Sequence, residues 1–444
     1  MNANTLKYHI MALFIGLAIA AVLLWAGIIP GVGGGSTSTG ATIKKAELTV
    51  WGTQDEQGMF ASLTKAFQGT NPGIKITYVK KASEGYEDEL VRAFAAGKGP
   101  DIFGIHNTWL QKYSDLLGSA PQDVFSANEV RTTMTDVVQR DFLVNDSLYA
   151  IPLSLDTLAL YYNTDLFNSA GIVFPPATWD EFVKDSRILT KRRQSGDFTV
   201  SGAALGGSTN VSYAPDILTL LMLQYGVPIV DATGSVRFAV TQSAGAGSAS
   251  PAEAALDFYT SFARPSSPNY SWAKSSPLSS EDLFAQNQVG MMFGYAGTRA
   301  DLLKKSPRLH FDIAPVPQVK DSVFNRNYAS YWGYGVYKNS PNKQISWEFL
   351  KYLLSPGVQT YYNGAVGRPS ALRSLIAVQQ RDPVLKVFAN EALSATSVNQ
   401  VDFTLLRSTF TDMIESQISK NESLRQSLTE AEQNINALLK KNNP

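Results

Sequence analysis

Leu-Thr-Val-Trp at residues 48–51 opens the stretch that decides the fold. Apolar residues at helical spacing follow over 59–67, and Ile-Lys-Ile-Thr-Tyr at 74–78 alternates apolar and polar residues as a strand does. Apolar residues over 90–94 predict another helix, which a Gly-Lys-Gly-Pro turn ends before Ile-Phe-Gly-Ile at 102–105. This alternation of strands and helices predicts a parallel sheet with helices on its faces.

Polar and aromatic residues follow the first and third of these strands. Trp-Gly-Thr-Gln occupies 51–54, and His-Asn-Thr-Trp occupies 106–109. In open α/β sheets, ligands bind outside the carboxyl ends of the strands. The sequence therefore predicts a binding site where these two segments meet.

The composition of the 444-residue chain excludes several functions. Its 38 Lys and Arg balance 38 Asp and Glu, so no basic excess is available to neutralise a nucleic-acid backbone. The absence of cysteine excludes thiolate nucleophiles and cysteine metal sites, and three histidines leave few ways to build a histidine metal site or a catalytic triad. We therefore expect no cofactor, no bound metal and no nucleic-acid partner.

The N-terminus contains a segment typical of membrane proteins. Residues 10–29 carry no charge and approach the length that crosses about 30 Å of hydrocarbon. The alternative is a cleaved signal peptide, whose apolar region is usually only about 7–15 residues long. We predict a cytoplasmic tail and transmembrane anchor over 1–30, a Gly- and Ser-rich linker over 31–44, and a body at the extracytoplasmic face of the membrane.

Local patterns further along the chain predict more secondary structure. Thr178 and Glu181 form a capping-box pattern, which begins a helix. Asp-Ala-Thr-Gly between two apolar runs predicts a hairpin over 227–238, and apolar residues over 424–439 form one helical stripe. Asp101, after a Gly-Pro pair, is predicted to order a turn.

Three longer stretches carry a resemblance to a known family. They are Tyr-Ala-Ile-Pro at 149–152, Leu-Tyr-Tyr-Asn-Thr-Asp-Leu-Phe at 160–167 with Ala-Gly-Ile at 170–172, and Pro-Pro-Ala-Thr-Trp-Asp-Glu-Phe at 175–182. In this order they resemble the extracellular solute-binding protein family 1 of ABC importers, the group that includes maltose-binding protein. Shorter similar segments stand at 99–102, 289–294 and 347–353.

The resemblance implies a periplasmic-binding-protein-like α/β fold, in which two lobes with mixed sheets are joined by a hinge and hold a ligand between them. Residues 151–160 would cross from the first lobe to the second, and residues 328–337 would cross back. Lobe closure would signal to an ABC permease, and we expect a monomer. The implied boundaries are 45–152 with 335–378 for lobe 1, and 153–334 with 379–440 for lobe 2.

The candidate site residues suit a carbohydrate. Sugars need flat apolar rings for their C–H faces and planar polar groups for their hydroxyls. The ring candidates, at positions that match the family's cleft, are Trp51, Trp109, Tyr295, Tyr331 and Trp332. The polar candidates are Gln54, Asp55, Asn107, Asp156 and Arg368. We expect an oligosaccharide or a related polyol as the ligand.

Several residues also have a structural interpretation. Each aromatic residue could belong to a core, although glycines beside Trp332 permit close approach of a ligand. Asp156 could bind a hydroxyl or hold the backbone of the hinge, and His106 could contact the ligand or be a loop histidine. Trp179, inside the capping box, is predicted to pack.

Two rival functions stay open. A glycosidase needs two carboxyl groups roughly 5–10 Å apart, and Asp55 with Asp156 is the pair that could serve. A membrane-tethered sensor would report the ligand to a partner instead of delivering it to a permease. The common phosphate-loop, zinc-protease and serine-hydrolase motifs are absent from the sequence, so we predict a binding protein and not an enzyme.

Overall fold

A computed structural model describes residues 45–231, 234–239, 249–399, 401–420 and 422–442. The predicted anchor and linker, residues 1–44, lie outside these ranges. Within them, no helix is both long and apolar enough to span a membrane.

The first sheet confirms the predicted order of strands and helices. Strand β1 (Ala46–Gly52) pairs in parallel with β2 (Ile74–Lys80) and with β3 (Ile102–His106). Helices α1 (Gln57–Thr70) and α2 (Tyr86–Ala95) connect these strands. The sheet is completed by β4 (Leu117–Gly118), β7 (Ala150–Ile151) and β14 (Trp332–Tyr337). Because β14 is antiparallel to β3, the sheet is mixed, with the order β2-β1-β3-β14-β4.

Burial explains why these segments form their elements. Leu48 and Val50 of β1 are buried while Glu47 is exposed, which is the alternation of a strand with one face on a core. Every residue of β3 is buried, since the strand is central and both of its faces are covered. In α1, Phe60 and Phe67 lie on one helical face and are buried.

The second sheet has the order β12-β8-β11-β10-β9. Its strands are β8 (Ala159–Asn163), β9 (Lys191–Arg192), β10 (Phe198–Ala203), β11 (Val289–Gly294) and β12 (Phe311–Ala314). Only β10 and β11 pair in parallel among these described strands, so this sheet is also mixed.

The remaining elements surround these two sheets. Two small sheets are formed by β5 (Leu143–Val144) with β6 (Ser147–Leu148), and by β13 (Asn327–Tyr328) with β15 (Ala395–Thr396). The other helices are α3 (Ala127–Thr133), α4 (Asp136–Phe142), α5 (Thr164–Ser169), α6 (Trp179–Leu189), α7 (Ala214–Gln224), α8 (Pro251–Ser261), α9 (Ser280–Ala285), α10 (Thr298–Lys305), α11 (Lys343–Leu353), α12 (Pro356–Val366), α13 (Arg373–Gln379), α14 (Lys386–Glu391), α15 (Phe403–Glu415) and α16 (Leu424–Asn442). A π-helical turn, Ser416–Lys420, follows α15.

Most of the local predictions are confirmed. Thr178 and Glu181 form the capping box of α6, and Trp179 is buried with its ring 5.4 Å from that of Phe182. The Asp101 carboxylate has a longer-range role than the predicted one, because it accepts a hydrogen bond from the Thr49 N–H of β1 at 2.9 Å.

The predicted hairpin over 227–238 is not a pair of strands in its described part. It is reduced to one antiparallel bridge between Val230 and Val236. Its ladder bonds run from the Asp231 N–H to the Ser235 carbonyl at 2.9 Å and from the Arg237 N–H to the Ile229 carbonyl at 3.2 Å. The Val236 backbone groups face away from this pair, and they bond to the Asn436 side chain of α16, which accepts from the N–H at 2.9 Å and donates to the carbonyl at 2.8 Å.

Two hydrophobic cores, one for each sheet, give the chain a two-lobed, periplasmic-binding-protein-like fold. The first core extends to Leu155, and the second begins at Leu158. The chain returns between Tyr328, in the second core, and Ala329, in the first. The two crossing segments lie side by side, because Ser330 donates its N–H to the Asp156 carbonyl at 3.2 Å. A third crossing segment contains β15, which pairs in parallel with β13.

Candidate ligand-binding cleft

A cavity lies where the crossing segments meet the carboxyl end of β1. Its volume is about 50 Å³, far below the roughly 300–1,000 Å³ of common ligand pockets. The cleft is therefore narrow in this arrangement of the lobes. Six of the ten predicted site residues line it: Gln54, Asp55, Asp156, Tyr331, Trp332 and Arg368.

Asp55 is held by two tyrosines that the sequence did not single out. The hydroxyls of Tyr334 and Tyr362 donate to its two carboxylate oxygens, each at 2.5 Å. Gly52 makes room for this arrangement, since a Cβ atom there would lie 2.6 Å from the Tyr334 hydroxyl. Asp55 thus ties β1 to β14 and α12, and the tyrosines line the same cavity.

Asp156 serves the hinge and also faces the cavity. One of its carboxylate oxygens accepts from the Ala296 N–H at 2.9 Å, and the other lies 3.5 Å from Nε of Arg368. Burial raises the pKa of Asp156 to about 6, although the Arg368 charge opposes the rise. Both interpretations left open by the sequence therefore have support in the geometry.

Arg368 brings an unused donor to the cavity. Its Nε–H is buried and makes no hydrogen bond within the part of the chain that the structure describes. The acceptor that faces it is the Asp156 carboxylate, which forms an ion pair with Nε at 3.5 Å. A ligand oxygen at this place could accept the hydrogen bond that Asp156 does not.

Trp332 lines the cavity, whereas Trp109 is buried behind it. The two ring centroids are 5.0 Å apart, edge to face. Phe403, at the start of α15, lies 6.0 Å from Trp109 and stacks on His106 at 4.0 Å. This aromatic cluster leaves Trp109 only 2% exposed, so of the two tryptophans it is Trp332 that a ligand can reach.

Asn107 and Tyr331 belong to a network around a buried carboxylate, Asp141. Asn107 donates to Asp141 at 2.9 Å, the Tyr331 hydroxyl does so at 2.6 Å, and the Ser397 hydroxyl donates to its second oxygen. Burial raises the pKa of Asp141 to about 6, and these hydrogen bonds act in the opposite direction. Asn107 is completely buried, so its role here is to join the first lobe to the crossing segments.

His106 is buried and bonded to neighbouring side chains, which favours a structural role over ligand contact. Its ring nitrogens lie 3.0 Å from the hydroxyls of Thr108 and Ser330, and the residue is 1% exposed. Burial lowers the pKa of His106 to about 3, so the ring is neutral at physiological pH.

Trp51 and Tyr295 lie outside the cavity lining. The Trp51 ring is half-buried, and the Lys81 ammonium sits 3.6 Å from its centroid. The Tyr295 hydroxyl donates to Asp216 at 2.9 Å, so this buried hydroxyl already has a hydrogen-bond partner within the protein.

Tyr213 has an unusual backbone that no sequence pattern indicated. Its φ of 62° is in the left-handed region, which is uncommon for an aromatic residue and frequent at functional sites. The ring packs edge to face on Tyr295 at 4.9 Å, and the hydroxyl lies 3.4 Å from that of Thr298. Its position at the N-terminus of α7 follows from the Ala-Pro pair that begins the helix.

Acidic residues and histidines do not gather into a metal site anywhere in the described ranges. The titratable groups at the cleft are instead paired with tyrosines, an arginine or backbone donors. The arrangement is suited to holding a ligand by hydrogen bonds and ring contact.

The sequence of residues 52–360 matches the sequence model of the protein family described as bacterial extracellular solute-binding protein. The chain belongs to this family. The solute-binding protein is 24% identical over 341 residues to a binding protein of Brucella abortus (strain 2308). The aligned region covers 74% of this chain and 76% of that protein.

Two solved structures share the fold of the solute-binding protein. The cyclic alpha-maltosyl-1,6-maltose binding protein from Arthrobacter globiformis has a TM-score of 0.73 at 19% identity, over 90% of this chain and all of that chain. The sugar-binding protein MalE from Xanthomonas citri has a TM-score of 0.72 at 20% identity, over 89% of this chain and 98% of that chain.

Proposed function

We propose that this solute-binding protein captures a carbohydrate in the cleft between its lobes. The observation that carries the proposal is the cavity itself, which is lined by the aromatic residue Trp332 and by the ion pair of Arg368 with Asp156. A ring for C–H faces and polar groups for hydroxyls is the combination that sugars need. The two similar structures described above are named for binding sugars, which supports the same ligand class.

A thermal-shift panel on the full-length chain tests the ligand class. The panel contains sugars, glycerophosphodiesters, peptides and polyamines. A ligand at 100 times its dissociation constant stabilises the folded state by about 2.7 kcal/mol, which raises the melting temperature. A rise confined to peptides or polyamines would contradict the carbohydrate proposal.

The glycosidase alternative has less support. Both carboxylate oxygens of Asp55 already accept hydrogen bonds from tyrosines, so this group is engaged in holding the fold. The family is one of binding proteins. Incubation of the chain with a bound sugar should therefore leave the sugar intact, as chromatography of the mixture would show.

Delivery to an ABC permease completes the proposal. In it, an N-terminal helix over residues 10–29 holds a monomeric receptor at the extracytoplasmic face of the membrane, and lobe closure about the crossing segments presents the ligand. The uncharged run of residues supports the anchor. Membrane fractionation with N-terminal sequencing tests it, since a mature chain that begins in the Gly- and Ser-rich linker would show a cleaved signal instead.

A further inference from the structure

A second pocket shares no lining residue with the cleft. It lies between the turn after β3, the end of α4 and the segment that follows β15. Its volume is about 390 Å³, within the range of roughly 300–1,000 Å³ that small-molecule pockets occupy. The pocket is therefore large enough for a ligand as the lobes stand.

One wall of this pocket is apolar. Leu110 belongs to the first core, Tyr149 packs against it, and Val144 lies on the short strand β5. Val144 is 42% exposed, which leaves a branched aliphatic side chain in contact with solvent. Covering such a wall with an apolar ligand is favourable, because it removes apolar surface from water.

A cation stands beside the apolar wall. The Arg140 guanidinium donates to the Ala395 carbonyl at 2.7 Å, and its charge acts on the carboxylate of Asp141, although the two make no hydrogen bond in the described residues. The neighbouring Asp141 already accepts from Asn107, Tyr331 and Ser397. Because a guanidinium has five N–H donors in a planar fork, Arg140 keeps donors that match a carboxylate.

We propose that this pocket binds a small amphipathic monocarboxylate, whose apolar body covers Val144 and Tyr149 and whose carboxylate meets Arg140. The site is distinct from the sugar cleft and is coupled to it. The coupling element is Asp141, which lines the pocket and accepts a hydrogen bond from Tyr331 of the cleft.

The elements that line the pocket indicate how its ligand should affect sugar binding in the cleft. Arg140 belongs to α4, and Asn399, which lies in the third crossing segment two residues after Ser397, donates to the Arg140 carbonyl at 2.9 Å. This open pocket and the narrow cleft occur in the same arrangement of the lobes. A ligand that fills the pocket stabilises that arrangement, in which the cleft has a volume of only about 50 Å³, so it should weaken sugar binding in the cleft.

The binding test uses 4-(4-fluorophenyl)butyrate as the probe and ¹⁹F NMR of the full-length chain as the readout, so it does not depend on any sugar. We expect saturable binding that Arg140→Gln weakens at least about fivefold, as loss of a charge-assisted contact requires. The matched control is Arg131→Gln, which removes a charge on the nearby helix α3 outside the pocket lining. The neutral amide of the probe should bind more weakly than the acid.

The outcomes separate the two parts of the proposal. Absence of saturable binding, or equal weakening by Arg131→Gln and Arg140→Gln, overturns the site. Probe binding that fills the pocket should lower the affinity for a cleft sugar severalfold, and the sugar should lower the probe affinity by the same factor. Unchanged affinities overturn the coupling, and failure of every sugar to bind counts against the proposed function while the probe titration still decides the site.

Discussion

Trp332 presents an aromatic ring to the cleft, and we expect this ring to contribute much of the affinity for a sugar. Trp332→Ala should weaken binding by about 1–3 kcal/mol, the range for a well-placed aromatic contact, while the far-UV circular dichroism stays unchanged. Isothermal titration calorimetry measures the loss. Trp179→Ala is the control, because Trp179 packs inside the second lobe and its loss should lower the melting temperature instead. Equal sugar affinity in wild type and Trp332→Ala would make Trp332 a packing residue.

Asp55 illustrates how a predicted site residue can serve stability. In Asp55→Asn, the amide replaces one of the two charged acceptors of Tyr334 and Tyr362, so the free energy of unfolding should fall by about 1.5–3 kcal/mol. Urea denaturation followed by fluorescence measures the change. Asp321→Asn is the control, since Asp321 is exposed in a left-handed turn that asparagine also adopts. A loss in Asp55→Asn no larger than in this control would show that the tyrosines do not depend on the charge.

At the scale of elements, Glu391 joins the end of α14 to β13. Its carboxylate accepts from the Asn327 side chain at 2.5 Å, and that amide also donates to the Leu158 carbonyl at 2.7 Å. Burial raises the pKa of Glu391 from 4.5 to about 7. The unfolded chain releases the proton at a lower pH than the folded chain does, so the stability that this carboxyl contributes is present below pH 4.5 and lost as the pH rises through 7.

Glu391→Gln should therefore gain stability relative to wild type as the pH rises from 5 to 8, by an amount of order 3 kcal/mol. Thermal unfolding across this pH range measures the difference between the two proteins. The exposed residue Glu430 of α16 offers the control variant Glu430→Gln, which removes a carboxyl group from the surface instead of from a buried site. A constant difference in both variants would show that Glu391 is ionised throughout.

The helices and strands also show which parts of the structure could be predicted from the sequence. Alternation and helical spacing depend on residues within one segment, which is why β1, α1, β2, α2 and β3 could be predicted. Asp141 had no such signal, because its partner Ser397 lies 256 residues away. Phe403 likewise reaches His106 only through the fold. Site residues that follow strand ends were found, whereas the burial of Trp109 and Asn107 depends on those distant partners.

At the scale of the whole molecule, the narrow cleft implies movement. A cavity of about 50 Å³ has room for a few water molecules, so the lobes must part about the crossing segments to admit a sugar. A ligand that touches both lobes then favours closure, and about 5.5 kcal/mol of differential affinity moves a population from 1:99 to 99:1. We expect closure to accompany binding.

Fluorescence energy transfer between the lobes measures this movement. The chain has no native cysteine, so dyes attach only to the introduced residues of Ser62→Cys and Ser195→Cys. Saturating sugar should change the transfer between these positions, and a pair at Ser62→Cys and Thr132→Cys, both on helices or turns of the first lobe, should not respond. Constant transfer for several pairs between the lobes, despite proven binding, would indicate a rigid receptor.

The position of β14 in the middle of the first sheet has a consequence for the chain while it is being synthesised. β14 covers the edge of β3, yet Ser330, which bonds to His106 beside it, is made 224 residues later. At about 5–20 residues per second this delay lasts roughly 10–45 s. Throughout that time the nascent chain carries an open strand edge, which is a template for pairing with other chains. A chain truncated before residue 332 lacks β14 and therefore leaves this edge of β3 unpaired.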